Sequence, residues 1–420
     1  MYLVQKNHLR GLSKREYKLL HQLTHLPKTL YNYTLYTVRQ YFFAKGVFLP
    51  YEQAYHHVKV NEHYRRLPSQ VAQQTMKVVT PAMRPFFGLQ RARKKGKYPH
   101  PIRLPHYLPK DGFFVCTFPK DMFKVEGEML RLSLGRYFAN ECGVRYLHFK
   151  VPSHVVGKLI KEIRLLPRYQ GCYFKIEYVY TVGPEAPELD PTKYLGIDLG
   201  LNNFATCVST DGTALILEGK GIKSYNRWWN KQKAILQSVY DKQGVKFGRK
   251  MAWLLHKRKH VINNFMAQAV HWILQECLTH QIGTVVIGEL KTIKQHINLG
   301  KKTNQNFQYI PFGGFKKKLR AKCEYYGIMV LEIEEVYTSQ TCSACGVREK
   351  KNRKYRGLYA CRTCGIVRNT DVNGAINILQ VASESIKIGG SGRVNRPGRI
   401  RIPTVVGQHP SPEASPGRAG

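Results

Sequence analysis

The sequence predicts a multidomain α/β protein. Its 420 residues exceed one typical domain, and a hydrophobic content of 43% is enough to fill several buried cores. The first part carries apolar residues at helical spacing, whereas the part after Leu195 alternates strand-like and helix-like segments. A proline-rich link, GPEAPELDPTKY, separates the two parts. We therefore expect the second part to fold around its own sheet.

The N-terminal half is expected to contain a helical layer and a small β-barrel. Residues 1–12 supply a first strand, and residues 13–95 repeat apolar side chains such as Leu19 and Leu23 at helical spacing. The run VVGKLIKEIRLLPRYQG is expected to form a helix and a turn. The remaining barrel strands are expected within residues 96–185, at Phe113–Phe118, Met129–Leu134, Val144–Val151 and Cys172–Val182.

The second half begins with three strand-like segments, YLGIDLG, FATCVST and Ala214–Glu218. A helix with a continuous apolar face follows over about Arg249–His280, and the strands TVVIGEL and IMVLEIEE flank a further helix. We assign residues 186–337 to the first part of this domain. The Gly/Pro/Arg-rich tail, residues 389–420, has little to bury and is expected to be disordered.

Four cysteines near the C-terminus have the spacing of a structural zinc site. Two Cys-x-x-Cys pairs flank Gly346 to Ala360, so each pair can span two vertices of a tetrahedron around a hairpin. Four thiolates close the coordination sphere and leave no position for a reactive water. We expect a zinc ribbon over residues 338–368, inserted before a final segment, 369–388. Its ligands are Cys342, Cys345, Cys361 and Cys364.

Carboxylates at the ends of predicted strands are candidates for a divalent-metal site. Asp198 lies in YLGIDLG, and Asp371 opens the helix-like run DVNGAINIL. Either Glu289 or Glu335 could supply a third ligand, because neighbouring parallel strands deliver their carboxyl ends to one crevice. Side-chain alternation argues against Glu289. Two Mg²⁺ ions about 3.5–4 Å apart would use such oxygens to activate water and stabilise a leaving oxygen.

The charge pattern predicts binding to polyanions. There are 67 Lys and Arg residues against 27 Asp and Glu, a formal net charge of +40, and 11% aromatic residues that offer stacking surfaces. No stretch approaches the roughly 20 apolar residues of a membrane helix, so we expect a cytoplasmic, nucleoid-associated protein without a membrane partner. The candidate nucleic-acid contacts are Lys94, Lys95, Lys97, Lys257, Arg258, Lys301 and Lys302.

Four motifs occur in the order of a known family: GIDLG around Asp198, VVIGEL, YTSQTCSACG with a later CRTCG, and DVNGAINIL at Asp371. In these motifs the chain resembles the TnpB family, transposon-encoded RNA-guided DNA endonucleases related to type V CRISPR effectors. The resemblance covers most of the chain. It implies an RNase H-like (RuvC) nuclease domain with a zinc-ribbon insert, preceded by a wedge β-barrel of oligonucleotide-binding type and a helical recognition domain.

The resemblance also implies partners and cofactors. A guide RNA from the transposon end would direct Mg²⁺-dependent cleavage of double-stranded target DNA beside a short motif. Base pairing between the guide RNA and the target strand would then recognise the target sequence, while the protein binds the backbone of the RNA–DNA heteroduplex.

The chain departs from the family's usual pattern at two places. In most members the second acidic residue directly follows three apolar strand residues, whereas here Gly288 follows VVI and the acid is displaced to Glu289. A subset of the family with LGKKTNQ carries this acid at another position, which corresponds to Glu335. We favour Glu335 as the metal ligand. Asn369 and Thr370 replace an Asp-Arg pair before the final acid. Two other functions stay open: a nuclease-inactive RNA-guided repressor, because of the displaced acid, and a strand-transfer transposase, which the order of acids alone does not separate from a nuclease.

Overall fold

The computed structural model describes two units, Met1–Gly183 and Pro184–Gly420. Within the described part of the chain, no helix combines the length and the apolar character that crossing a bilayer requires. The description extends to residue 404 and leaves out residues 186, 290–308, 335–337, 356 and 383–391.

Unit 1 contains a helical layer and two antiparallel sheets. Its helices are α1 (Lys14–Lys45), α2 (Tyr51–Val58), α3 (Glu62–Arg65), α4 (Ser69–Lys77), α5 (Val79–Lys94) and α6 (Arg136–Cys142). Its strands are β1 (Tyr2–His8), β2 (Cys116–Pro119), β3 (Phe123–Glu126), β4 (Met129–Ser133), β5 (Tyr146–Lys150), β6 (Leu159–Arg168) and β7 (Tyr173–Thr181). Hydrogen bonds divide these strands between the sheets β1-β7-β6-β2 and β3-β4-β5, whereas the sequence predicted one barrel.

Helix α1 has clear start and stop signals. Ser13 and Glu16 form a capping box, in which each side chain binds the other residue's backbone N–H. The helix ends at Gly46, whose φ of 68° is in the left-handed region. Leu20 of α1 and Phe118 of β2 are both fully buried in one core, so the helical layer packs directly on the larger sheet.

The prediction of a helix within VVGKLIKEIRLLPRYQG is wrong, because these residues form β6. The strand buries Ile160, Ile163 and Leu165, and its pairing with β7 shifts register between Ile160 and Glu162. A bulge of this kind adds one residue to the strand and so interrupts the alternation of buried side chains. The resulting spacing of three residues resembles the period of a helix.

Unit 2 is built on a six-stranded mixed sheet of order β12-β11-β8-β9-β10-β16. Its helices are α7 (Lys220–Lys242), α8 (Arg249–Thr279), α9 (Phe312–Tyr325) and α10 (Thr370–Ala382). Its sheet strands are β8 (Asp190–Leu199), β9 (Asn203–Ser209), β10 (Ala214–Glu218), β11 (Ile282–Glu289), β12 (Met329–Glu334) and β16 (Gly398–Arg401). A separate small sheet holds β13 (Arg353–Tyr355), β14 (Leu358–Ala360) and β15 (Val367–Arg368).

The two faces of the large sheet are covered by different helices. Ile197 of β8 packs with Phe265 of α8 and Phe315 of α9 in one core. Val286 of β11 packs with Ile376 of α10 in a second core. Because side chains alternate along a strand, residues 196 and 198 of β8 lie on the α10 face.

The expected disorder of residues 389–420 is wrong for residues 392–404. Strand β16 pairs in parallel with β10, from Leu215 opposite Gly398 to Glu218 opposite Arg401. Ile402, just beyond β16, is 2% exposed and belongs to the α8-facing core. Pairing with β10 and burial of Ile402 therefore hold this basic segment against the sheet.

Candidate functional site

The two aspartates that the sequence singles out lie together. Asp198 is near the end of β8, and Asp371 is in the first turn of α10. A Cβ added to Gly374 would lie 2.8 Å from the Oδ2 atom of Asp198, so this carboxylate lies against the backbone of α10. Gly374 and Asp371 are three residues apart and share one face of the helix. Both carboxylates are half-buried, and the contact with Gly374 places Asp198 against the first turns of the helix that carries Asp371.

Two asparagines position Asp371. The Nδ2 atom of Asn203 donates a hydrogen bond of 2.6 Å to Oδ2 of Asp371. The Oδ1 atom of Asn369 accepts from the backbone N–H groups of Asp371 and Val372, which is the role of a helix N-cap. Asn369 belongs to one of the two departures from the family's pattern, and the preference of asparagine for N-cap positions is a local sequence signal for this role. Asn203 carried no comparable local signal.

Two buried hydroxyls near the aspartates fit a hydrated Mg²⁺ ion. Thr206 is the cross-strand partner of Asp198, and Thr370 precedes Asp371. Their Oγ1 atoms are buried and have no hydrogen-bond partner within the described part of the chain. Mg²⁺ keeps several of its waters and prefers carboxylate oxygens. The carboxylates and these hydroxyls therefore suit the ion and its bound waters.

The candidates for a third acid are only partly described. Glu335 lies outside the described residues, and only the backbone of Glu289 is described, at the end of β11 opposite Glu334. On β12, Ile333 packs in the α10-facing core that also contains Val286.

A close contact between β8 and α10 brings the aspartates together. A Cβ on Gly196 would lie 2.6 Å from the carbonyl oxygen of Ala375 and 2.6 Å from Cγ of Leu379. We expect Gly196→Ala to lower the free energy of unfolding by about 1–3 kcal/mol, because α10 must move away. It should also slow any reaction that needs both aspartates.

The matched control is Gly313→Ala. Thermal unfolding of Gly196→Ala and of this control checks the prediction. Gly313 lies in α9 of the same unit, where an added Cβ meets nothing within 4 Å. Equal melting temperatures for the two variants would contradict the close contact.

The four predicted zinc ligands form one cluster. The sulfur atoms of Cys342, Cys345, Cys361 and Cys364 all lie within 4.8 Å of one another. Two of the separations are 3.7 Å, between Cys342 and Cys364, and 3.6 Å, between Cys345 and Cys361. A tetrahedral site with Zn–S bonds of about 2.3 Å has sulfur atoms about 3.8 Å apart. The cluster therefore has the dimensions of a structural zinc site.

Each Cys-x-x-Cys pair is followed by a glycine that closes the same type of turn. The backbone N–H of Gly346 donates to the carbonyl of Cys342, and that of Gly365 donates to the carbonyl of Cys361. Their φ angles are 74° and 72°, in the region that favours glycine. The pattern Cys-x-x-Cys-Gly thus specifies both halves of the cluster locally.

The cysteine ribbon is joined to α10 by side-chain amides. Asn373 accepts from the backbone N–H and the hydroxyl of Ser343 and donates to the carbonyl of Thr341. Asn377 donates to the carbonyls of Thr338 and Thr341, at 2.6 and 2.8 Å. Both asparagines are buried, so the segment before the first cysteine pair is fixed to the helix that carries the catalytic candidate Asp371.

Four of the other cysteines are core thiols. Cys116, Cys207, Cys277 and Cys323 are buried. Burial raises the pKa of Cys323 to about 12 and raises the pKa of the other three as well. These thiols remain protonated at neutral pH, and they are poor nucleophiles and poor metal ligands.

The predicted nucleic-acid contacts have different surroundings. Lys94, Lys95 and Lys97 are exposed at the end of α5 and just beyond it, and Lys257 is half-buried on α8. Arg258 instead binds within the chain, since it donates to Oδ1 of Asn226 and to the carbonyl of Tyr309. Lys301 and Lys302 lie outside the described residues.

Two family models match the chain. The model described as OrfB_IS605, probable transposase, matches residues 177–294. The model of the Cas12f1-like TNB domain matches residues 312–378, which include the four clustered cysteines.

Individual proteins match over most of the chain. It is 26% identical over 402 residues to the TnpB-like protein ORF457 of Acidianus two-tailed virus, covering 86% of this chain and 83% of that protein. It is 26% identical over 350 residues to the putative RNA-guided DNA endonuclease InsQ of Escherichia coli (strain K12), covering 79% and 78%. A cryo-EM structure of a Cas12f1–sgRNA–target DNA complex superposes with a TM-score of 0.63 at 15% identity, covering 87% of this chain and 83% of that chain.

The α/β fold and the cluster of four cysteines are similar to those of a class of proteins that includes transposon-type proteins and Cas12 effectors. Within this class, the chain is similar to proteins of the TnpB family.

Proposed function

We propose that the chain is a transposon-encoded, RNA-guided endonuclease that hydrolyses double-stranded DNA beside a short adjacent motif. The observation that carries this proposal is the convergence of Asp198 and Asp371 at a helix that the cysteine ribbon holds in place. The names of the relatives support it, because InsQ is called an RNA-guided DNA endonuclease and the Cas12f1 structure contains guide RNA and target DNA. Action on chromosomal DNA would place the protein at the nucleoid.

The large sheet supports a RuvC-like, RNase H-type assignment for the nuclease domain. Three antiparallel strands, β8, β9 and β10, are followed by β11 and β12, which add in parallel on the other side of β8. We propose these roles for the segments: wedge domain, 1–12 and 96–185; helical recognition domain, 13–95; nuclease domain, 186–337 and 369–388; zinc ribbon, 338–368.

We propose that Asp198, Asp371 and Glu335 hold Mg²⁺ in this domain. Bound there, the metal would polarise the scissile phosphate and lower the pKa of a bound water. The chain's own contribution is to hold the ligands. Asn203 orients the Asp371 carboxylate, and the hydroxyls of Thr206 and Thr370 offer acceptors for water.

Conservative variants distinguish the two candidates for the third acid. We expect Glu335→Gln to slow DNA cleavage by at least about 100-fold and to weaken Mn²⁺ binding, because a charged metal ligand is lost. Glu289→Gln serves as the matched variant and should retain cleavage within a few-fold of the unmodified protein. The reverse order of the two rates would assign the metal ligand to Glu289.

The proposed function is tested with the protein purified together with its RNA. Sequencing that RNA identifies the guide, and a plasmid carrying the matching target is then incubated with Mg²⁺ or with EDTA. We expect RNA-dependent cutting with Mg²⁺ and none with Asp198→Ala. Tight binding without cutting would favour the repressor, whereas a covalently joined product without bound RNA would favour the transposase.

We propose that the exposed basic residues bind nucleic acid through its phosphates. Lys94, Lys95 and Lys97 cluster at one end of α5, where their charge is available to a phosphate backbone. The formal net charge of +40 gives a large favourable field for both RNA and DNA. The cysteine ribbon is proposed to hold a structural zinc ion.

A further inference from the structure

Helices α7 and α8 display an aromatic and basic surface that the proposed metal site does not use. The Trp228 side chain is 40% exposed, and the half-buried Trp253 lies nearby. The ammonium group of Lys257 lies 5.6 Å from the ring centre of Trp228 and 4.8 Å from that of Trp253. We call Trp228, Trp253 and Lys257 the tryptophan surface.

The exposure of Trp228 is not needed to hold α7 in place, because its neighbour does that. Trp229 is buried, and its Nε1–H donates to the carbonyl of Leu254 on α8. Arg258 lies 4.6 Å from the ring centre of Trp229 and is hydrogen-bonded within the chain. Trp229 therefore anchors α7 to α8. Part of the flat Trp228 ring is instead exposed to water beside the ammonium group of Lys257.

The start of α7 is linked to the aspartate site. The Nζ atom of Lys223 donates to Oδ1 of Asn202, and the next residue, Asn203, donates to Asp371. From Lys223 to Trp228 is five residues, or about 7.5 Å along the helix axis.

We propose that the tryptophan surface stacks an unpaired base of the single DNA strand that enters the aspartate site. An exposed indole suits any base, because every base has an aromatic face, and the ammonium group of Lys257 beside the ring suits the adjoining phosphate. The DNA strand is favoured over RNA because α7, the helix that carries Trp228, begins beside Asn202, the neighbour of the residue that orients Asp371. The proposal rests on the proposed function for the identity of that strand.

The experiment measures binding separately from cleavage. The protein with its copurified RNA is titrated into an end-labelled single-stranded DNA that does not match the guide, without added Mg²⁺, and anisotropy is recorded. We expect Trp228→Ala to weaken binding about tenfold, which is in the range for one stacked base. Trp228→Phe should retain most of the affinity. Lys257→Gln should lower the salt dependence by about 0.7, the slope for one phosphate contact on a single strand.

Trp272→Ala is the matched control. Trp272 lies on α8 of the same unit and is also 40% exposed, but no lysine or arginine within the described residues is found over its ring. We expect this variant to bind DNA like the unmodified protein. Equal binding by Trp228→Ala and Trp272→Ala would overturn the proposal, as would a loss of the copurified RNA with DNA binding unchanged.

Cleavage assays separate this proposal from the proposed function. A substrate with one abasic position, moved stepwise away from the cut bond, should slow the unmodified protein at one position and leave Trp228→Ala unaffected there. If the unmodified protein cuts no DNA but Trp228→Ala still weakens DNA binding in the anisotropy titration, the proposed function is wrong and the role of the tryptophan surface in DNA binding is supported. If cutting is normal and Trp228 has no effect in either assay, the tryptophan surface fails alone.

Discussion

Replacing Asp371 by asparagine is expected to abolish DNA cleavage while the fold stays intact. The substitution keeps the size of the side chain and removes the charge that a divalent metal requires, so the rate should fall by at least about 1,000-fold. The free energy of unfolding should change by less than about 1 kcal/mol, because the fold loses only one carboxylate at a helix N-terminus. Rates on matched target DNA and thermal unfolding curves measure the two effects.

Asp241→Asn is the control for this variant. Asp241 is an exposed acid near the end of α7, where its carboxylate accepts a hydrogen bond from Gln237. We expect full cleavage from this protein. Cleavage by Asp371→Asn at more than a small fraction of the normal rate would remove Asp371 from the metal site. A large fall in its melting temperature would instead assign the residue a structural role.

Removal of zinc is expected to stop cleavage indirectly, through α10. In Cys361→Ser the cluster loses one thiolate, and zinc should dissociate on dialysis because the remaining ligands bind it far more weakly. The ribbon then unfolds, since metal binding in such small domains supplies most of their folding free energy. Thr338, Thr341 and Ser343 would no longer be held against Asn373 and Asn377. We expect cleavage to fall by about 100-fold or more.

Zinc content and cleavage rate, measured on the same samples, check this chain of effects. Cys142→Ser is the matched control, because Cys142 is a half-buried thiol of unit 1 outside the cluster. Asn377→Ala separates the link to α10 from the metal itself: it should retain zinc and still cut slowly, because two hydrogen bonds to the segment before the first cysteine pair are lost. Undiminished cleavage by zinc-free protein would show that the ribbon is dispensable.

The parts of the site that the sequence predicted are those with strong local patterns. Asp198 lies in a buried strand flanked by glycines, and the four cysteines have the spacing and the glycines of two similar turns. The interaction of Asn203 with Asp371 joins residues 168 positions apart in the sequence. Neither segment contains a pattern that refers to the other, so the pairing appears only when β9 and α10 pack together.

The errors in the fold have related causes. The sequence predicts a helix at β6 because the bulge near Ile160 changes the spacing of the apolar residues, and this bulge depends on pairing with the partner strand β7. The Gly/Pro/Arg-rich composition of the tail predicts disorder, whereas residues 398–401 form strand β16. The tail becomes ordered because it pairs with the free edge of β10, and no pattern within the tail itself predicts that pairing.

Strand β16 also determines how far the chain can be shortened. Residues after α10 look dispensable, since they follow the last catalytic candidate and are rich in glycine and arginine. Deleting residues 392–404 would make β10 the outermost strand, with unpaired backbone N–H and C=O groups along one side. Such an edge recruits strands from other molecules. A miniaturised version that ended at α10 would keep every proposed metal ligand and would tend to self-associate and precipitate.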